Sequence, residues 1–168
     1  PSAFPSHDPA LVREIVGASH GQADKVRELL KRSPRLANAA WDWGFGDWET
    51  ALGAAAHTGR RGIAEVLIEH GARPDVFCLA MLGKLEAVRA MIETTPGLQR
   101  IRGPHGITLM QHARAGGDDA AAVAAYLQSL GDADQPQVDQ PLTDAERERY
   151  VGVFAFGPDP ADRLEVSL

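Results

Sequence analysis

The chain has 168 residues, 44% of them hydrophobic and 24% charged, with a formal net charge of -6. That length suits one domain, or one domain with an appendage. The acidic balance argues against a phosphate-backbone or anionic-membrane surface, so no nucleic-acid partner is expected. The single cysteine, Cys78, excludes an internal disulfide and a cysteine-rich zinc site. No apolar run approaches the ~18 residues of a membrane-spanning helix, so no membrane insertion is expected. The chain starts at Pro1 rather than Met, and no signal peptide is recognisable. The expectation is a soluble protein, either cytoplasmic or exported after removal of an N-terminal signal.

Pro1 to Pro9 is rich in proline and serine and is expected to lie extended on the surface. Leu11 to Ser19, with Leu11, Val12, Ile15 and Val16, predicts a short amphipathic helix, broken at His20-Gly21. Gln22 to Arg32 follows, with Val26, Leu29 and Leu30 on one face, and Ser33-Pro34 stops it. Ala40 to Glu49, Ala-Trp-Asp-Trp-Gly-Phe-Gly-Asp-Trp-Glu, holds all three tryptophans of the protein. Its two glycines predict a loop rather than an element.

Thr50 to Asp75 predicts two helices and a stop. The first, Thr50 to Thr58, is made of small residues and ends at Gly59. The second, Arg61 to His70, carries Ile63, Val66, Leu67 and Ile68, and Gly71 supplies a left-handed cap. Asp75 is a plausible N-cap for a helix over Val76 to Leu82. Gly83 separates that helix from Leu85 to Glu93, whose inward residues are Leu85, Val88, Met91 and Ile92. A turn at Thr95-Pro96-Gly97 and a connection to His105 lead to Thr108 to Ala115, Gly116-Gly117, and Asp118 to Leu130. The basic pairs Lys31-Arg32 and Arg60-Arg61 are expected on solvated helix faces.

A helix pair of this size cannot bury its apolar face alone, so it needs copies to stack on. Gly21, Gly59, Gly83 and Gly117 mark the middle of four such pairs, at intervals of 38, 24 and 34 residues. Their mean lies close to the ~33-residue ankyrin period.

The chain resembles an ankyrin-repeat protein. Thr50-Ala51-Leu52-Gly53-x-Ala55-Ala56 lies where the family has T-P-L-H-x-A-A, and Leu67-Ile68-Glu69-His70-Gly71-Ala72 is similar to its second-helix ending. Gly106-x-Thr108 partly matches the family's D-G-x-T opening. The likeness covers roughly residues 8 to 134, strongly in the second repeat and weakly elsewhere. It implies a mostly α fold, an ankyrin-repeat solenoid of helix-turn-helix pairs over 1-134, with repeats at 8-34, 48-73, 74-96 and 106-131. The family histidine is absent: the matching places hold Gly53, Phe77 and Gln111. The first interval is overlong and the second short, so a long aromatic finger sits beside a missing one. The finger is therefore expected to fold across that gap.

Residues 135-168 form a linker, a short helix and a β-hairpin. Thr143 and Glu146 fit a capping box. Tyr150 to Phe156 and Leu164 to Leu168 predict two strands around turn chemistry at Gly157-Pro-Asp-Pro160. Tyr150-x-Gly152-x-Phe154-x-Phe156-Gly157 is similar to the start of an accessory β-segment found after some bacterial serine β-lactamase-like and peptidase-like domains. That resemblance implies no catalytic part here.

The expected function is a non-catalytic protein-protein interaction module acting through a concave face and the aromatic finger. The partner-binding candidates are Trp41, Asp42, Trp43, Phe45, Asp47, Trp48 and Phe77. Aromatic rings beside carboxylates suit a cationic group, and tryptophan is a frequent interface anchor. The competing readings are a satellite core beneath the rings, a small cationic-ligand or enzymatic site at the finger, and a structural role with homodimerisation through residues 150-168.

No catalytic residue, cofactor or metal site is expected. No nucleophile elbow or phosphate loop is present. His57, His70, His105 and His112 share no i, i+3 or i+4 spacing, so only the fold can assemble them into a metal site. His20 and His57 lie near matching breaks and could be neighbours, with capping of helix carbonyls the preferred role. Cys78 is expected as a buried, inert thiol.

Overall fold

The computed structural model describes residues 6-136, 141-155 and 163-167. Among them it is mostly helical, with two small antiparallel hairpins. The chain divides into two compact units, Pro1–Gln135 and Pro136–Leu168. No helix among the described residues is long and apolar enough to cross a membrane.

The first unit holds α1 (Pro9–Ala18), α2 (Ala23–Arg32), the hairpin strands β1 (Ala40–Asp42) and β2 (Trp48–Thr50), α3 (Ala51–His57), α4 (Arg61–Glu69), α5 (Val76–Met81), α6 (Leu85–Thr94), α7 (Leu109–Ala115) and α8 (Ala121–Ser129). Each helix packs on the next one in the pair. The first helices of successive pairs, α1, α3, α5 and α7, also pack side by side, and α7 touches α3 as well. Apolar residues at helical spacing explain this. Ile15, Val16, Val26, Leu29, Leu30, Ile63, Leu67, Val88, Leu109, Val123 and Leu127 are all buried.

Side chains start and stop the helices. Asp8 accepts from the Ala10 amide, so α1 begins at Pro9 rather than Leu11. Proline is well suited there, because its missing N–H would lie unpaired in any case. Thr50, Asp75 and Thr108 accept from the amides of Gly53, Cys78 and Gln111. This register sets Cys78, not Phe77, at the place equivalent to Gly53 and Gln111. The expected helix from Asp118 begins later, because Gly117–Ala120 forms a 3-10 turn before α8.

Two of the four mid-pair glycines are needed twice over. Gly59 and Gly83 have φ of +67° and +73°, a left-handed conformation that costs other residues about 1 kcal/mol or more. A Cβ at Gly59 would also land on the Ala115 carbonyl, and one at Gly83 on the Asp119 carbonyl.

Of the arginine pair at 60-61, Arg60 is exposed as expected and Arg61 is partly covered, and both are engaged. Arg60 Nε donates to the His20 carbonyl at 3.0 Å. Arg61 reaches the carbonyls of Met81 and Leu82 and pairs with Asp119. These bonds tie one helix pair to another.

The second unit holds α9 (Asp144–Glu148) and strands β3 (Gly152–Ala155) and β4 (Arg163–Val166). Thr143 and Glu146 form the expected capping box. The strands pair antiparallel, with Phe154 opposite Leu164. The turn expected at Gly157 to Pro160 lies outside the described residues, as do Pro1 to Pro5.

Candidate functional site

The tryptophan stretch, expected as a loop, is a β-hairpin. Ala40, Trp41 and Asp42 pair with Thr50, Glu49 and Trp48. The Trp43 amide donates to the Asp47 carbonyl, and the Gly44 amide to the Asp42 carboxylate. The glycines are turn positions within a strand pair: Gly44, Phe45 and Gly46 all have positive φ. Three-residue strands leave too little alternation to stand out against two glycines, which is why the sequence pattern suggested a loop.

Strand alternation then sorts the candidate residues. Trp41, Trp43 and Glu49 share one face. Trp41 and Trp43 pack, half-buried, against the core that the first two helix pairs form with part of α5. Trp43 lies 5.9 Å from the Arg13 guanidinium, and both rings line a recess with Ala10, Arg13 and Lys25. Trp48 faces the other way and is 63% exposed, while Phe45 at the tip is 78% exposed. Trp48 and Asp47 share a recess of about 360 Å³ with Asp75, Phe77, Arg102 and Pro104. The finger thus reaches the segment before α7: Asp47 accepts from the His105 amide at 2.9 Å and meets His105 Nδ1 at 2.6 Å. Phe77 is nearly buried, 4.7 Å from the His112 ring. Asp42 serves the turn itself.

The inner face of the finger carries a cluster that the sequence did not reveal. Glu49 is completely buried. Its Oε2 accepts from Trp43 Nε1 at 2.7 Å and lies 3.5 Å from His20 Nε2. Its Oε1 lies 2.8 Å from His57 Nε2 and 3.3 Å from His105 Nε2. The His57 ring is 5.0 Å from that of His20 and 5.3 Å from that of His105. Four segments supply the groups: the turn after α1, strand β2, the end of α3 and the connection before α7. Burial alone would raise the Glu49 carboxyl pKa. Hydrogen bonds with His20, His57 and Trp43 outweigh that and bring it down to about 2. The same bond to Glu49, against burial, raises His20 above the usual imidazole range. Glu49 is therefore a carboxylate across the physiological range, and His20 is biased toward imidazolium.

His20 has a helix-capping contact as well, and His70, His112 and Cys78 are structural. Nδ1 of His20 meets the Gly17 carbonyl at 3.1 Å, and Nδ1 of His70 meets the Val66 carbonyl at 2.8 Å, so both cap helix ends. His112 is fully buried, and burial pushes its pKa down. Its Nδ1 donates to the Thr108 carbonyl, and its Nε2 has no hydrogen-bond partner among the described residues. Cys78 is buried and free, with burial first and Asp75 second raising its thiol to about 12, so it is no nucleophile.

Comparisons with protein-family models, with curated proteins and with solved structures gave no match.

Proposed function

We propose that the protein is a non-catalytic protein-interaction module. In this reading the helix pairs form a short ankyrin-type solenoid and the finger hairpin is its contact element. The carrying observation is the exposure of Trp48 and Phe45 on a finger whose base is buried and hydrogen-bonded. Two exposed aromatic rings on one short hairpin suit an interface anchor. The recess beside Trp48 is flanked by Asp47 and Asp75, and the guanidinium of Arg102 there is engaged with the carbonyls of Gly106 and Gln135. The partner proposed is a protein segment that presents a lysine or arginine to this aromatic and acidic recess.

Peptide display against the full chain tests this. Selected peptides should be enriched in basic residues. They should lose at least ~10-fold in affinity against Trp48→Ala or Phe45→Ala, the scale of an interface anchor. Peptides that bind both folded variants as well as the parent would overturn the proposal.

The second unit supports a further reading, self-association through its hairpin. Val153 and Leu164 are 63% and 51% exposed, and a lone two-stranded hairpin leaves strand edges open. Light scattering of the full chain should show a dimer that Val153→Lys dissociates; a monomer at all concentrations rejects this reading.

A further inference from the structure

We infer that His20, Glu49, His57 and His105 form a binding site for one divalent first-row transition ion, zinc being the natural probe. The four residues can each offer one ligand atom, and those atoms lie within 4.8 Å of one another. A tetrahedral zinc site with bonds of about 2.0–2.1 Å needs ligand atoms about 3.3 Å apart. Two separations to Glu49 Oε1, 2.8 Å from His57 Nε2 and 3.3 Å from His105 Nε2, already lie near that spacing, and His20 Nε2 is 3.5 Å from the other oxygen, Oε2.

The second nitrogens carry the argument further. The Gly17 carbonyl can only accept, so His20 must hold its proton on Nδ1. The Asp47 carboxylate, 2.6 Å from His105 Nδ1, assigns His105 the same tautomer. In both neutral rings the lone pair is then on Nε2, and both Nε2 atoms face Glu49. Lone pairs directed at a carboxylate repel it. Something positive has to sit among them: a second proton on the imidazoles, or a cation. A carboxylate or carbonyl behind Nδ1 is the arrangement that orients metal-binding imidazoles and raises their basicity. Trp43 donates to Oε2, which leaves Oε1, already shared by His57 and His105, as the oxygen for the ion.

The chemistry sets the class of ion. Three imidazoles and one carboxylate suit zinc, iron, nickel or copper rather than calcium or magnesium, which prefer all-oxygen shells. Four protein ligands around one point fill a tetrahedral shell and leave no open position, the mark of a structural site. The ion would clamp the base of the finger to the turn after α1, the end of α3 and the connection before α7. This inference is independent of what the finger binds.

The test uses the full, tag-free chain, stripped with chelator and titrated with Zn²⁺ and Co²⁺. One ion should bind per chain, Co²⁺ should give the intense visible bands of a tetrahedral site, and Zn²⁺ should raise the melting temperature. His57→Ala and His105→Ala should each lose at least ~100-fold in affinity. Asp47→Asn, which removes a supporting partner, should lose about 10-fold. His70→Ala should bind as the parent does. If His57→Ala does not fold, the half-exposed His105 carries the test through His105→Gln, checked by circular dichroism. Absence of stoichiometric binding, an octahedral Co²⁺ spectrum, or affinity unchanged in the folded His105 variant would overturn the inference.

Discussion

Replacing Glu49 by glutamine keeps the shape of the side chain and removes its charge. In the native protein the carboxyl is held at about 2, against an ordinary value of 4.5. A depressed acid contributes stability above its unfolded pKa and loses it as the pH falls through the folded one. The difference corresponds to about 3 kcal/mol of stabilisation above pH ~5.5, falling to less than half of that near pH 3 and vanishing below both values. Glutamine can still accept from Trp43 and donate toward His57, so packing is retained and the charge-dependent part is isolated. Urea unfolding in the presence of chelator, at pH 6 and pH 3, measures it. Glu49→Gln should be destabilised by about 3 kcal/mol at pH 6, with the gap narrowing by more than half at pH 3. A gap under ~0.5 kcal/mol at pH 6, or one independent of pH, would refute the idea that buried ion pairing organises the finger. His20 has the opposite sign: its raised pKa gives stability that is full below the ordinary imidazole value and lost as the pH rises through the folded one.

Trp43→Phe removes the indole donor to Glu49 and should cost about 1.5–3 kcal/mol, the range for a bond to a charged group, whereas the exposed Trp48→Ala should cost under ~0.5 kcal/mol. Gly59→Ala should destabilise by several kcal/mol, on the order of an overpacked and strained site, as measured by thermal unfolding. Gly62→Ala, in the first turn of α4, is its control: no atom lies within 4 Å of the new Cβ, and the change should be neutral or stabilise by up to about 0.5 kcal/mol. Cys78 should resist a thiol reagent at pH 8 in the folded protein and react once urea unfolds it; rapid labelling of the native chain would refute its burial.

The helix pairs were legible because each carries its own punctuation. Gly59 and Gly83 break the chain, and Ile63, Leu67, Val88 and Ile92 recur at helical spacing, all signals within one window. Asp75 and Thr143 announced their helices through local hydrogen bonds. The finger strands were too short for alternation to show, and Trp41 and Trp43 were separable from Trp48 only after the register was known. The histidine cluster carried no local signal. His20, Glu49, His57 and His105 come from four segments, and in the sequence Glu49 reads only as one of the carboxylates that alternate with the finger tryptophans. The placement of His20 and His57 at equivalent breaks was the one available hint. It pointed to a pair of neighbours, because nothing in the sequence indicated that the connection at His105 returns to the finger.

That return has a consequence for how such a chain can change in length. Arrays of stacked helix pairs ordinarily tolerate the gain or loss of a unit, since each touches only its neighbours. Here Asp47 meets His105 across 58 residues of sequence. A duplicated or deleted pair between them would carry the two ends apart or drive them together. The two helix pairs between them, α3 with α4 and α5 with α6, therefore act as a fixed spacer, and a variant with one more unit would have to abandon the cluster to accommodate it.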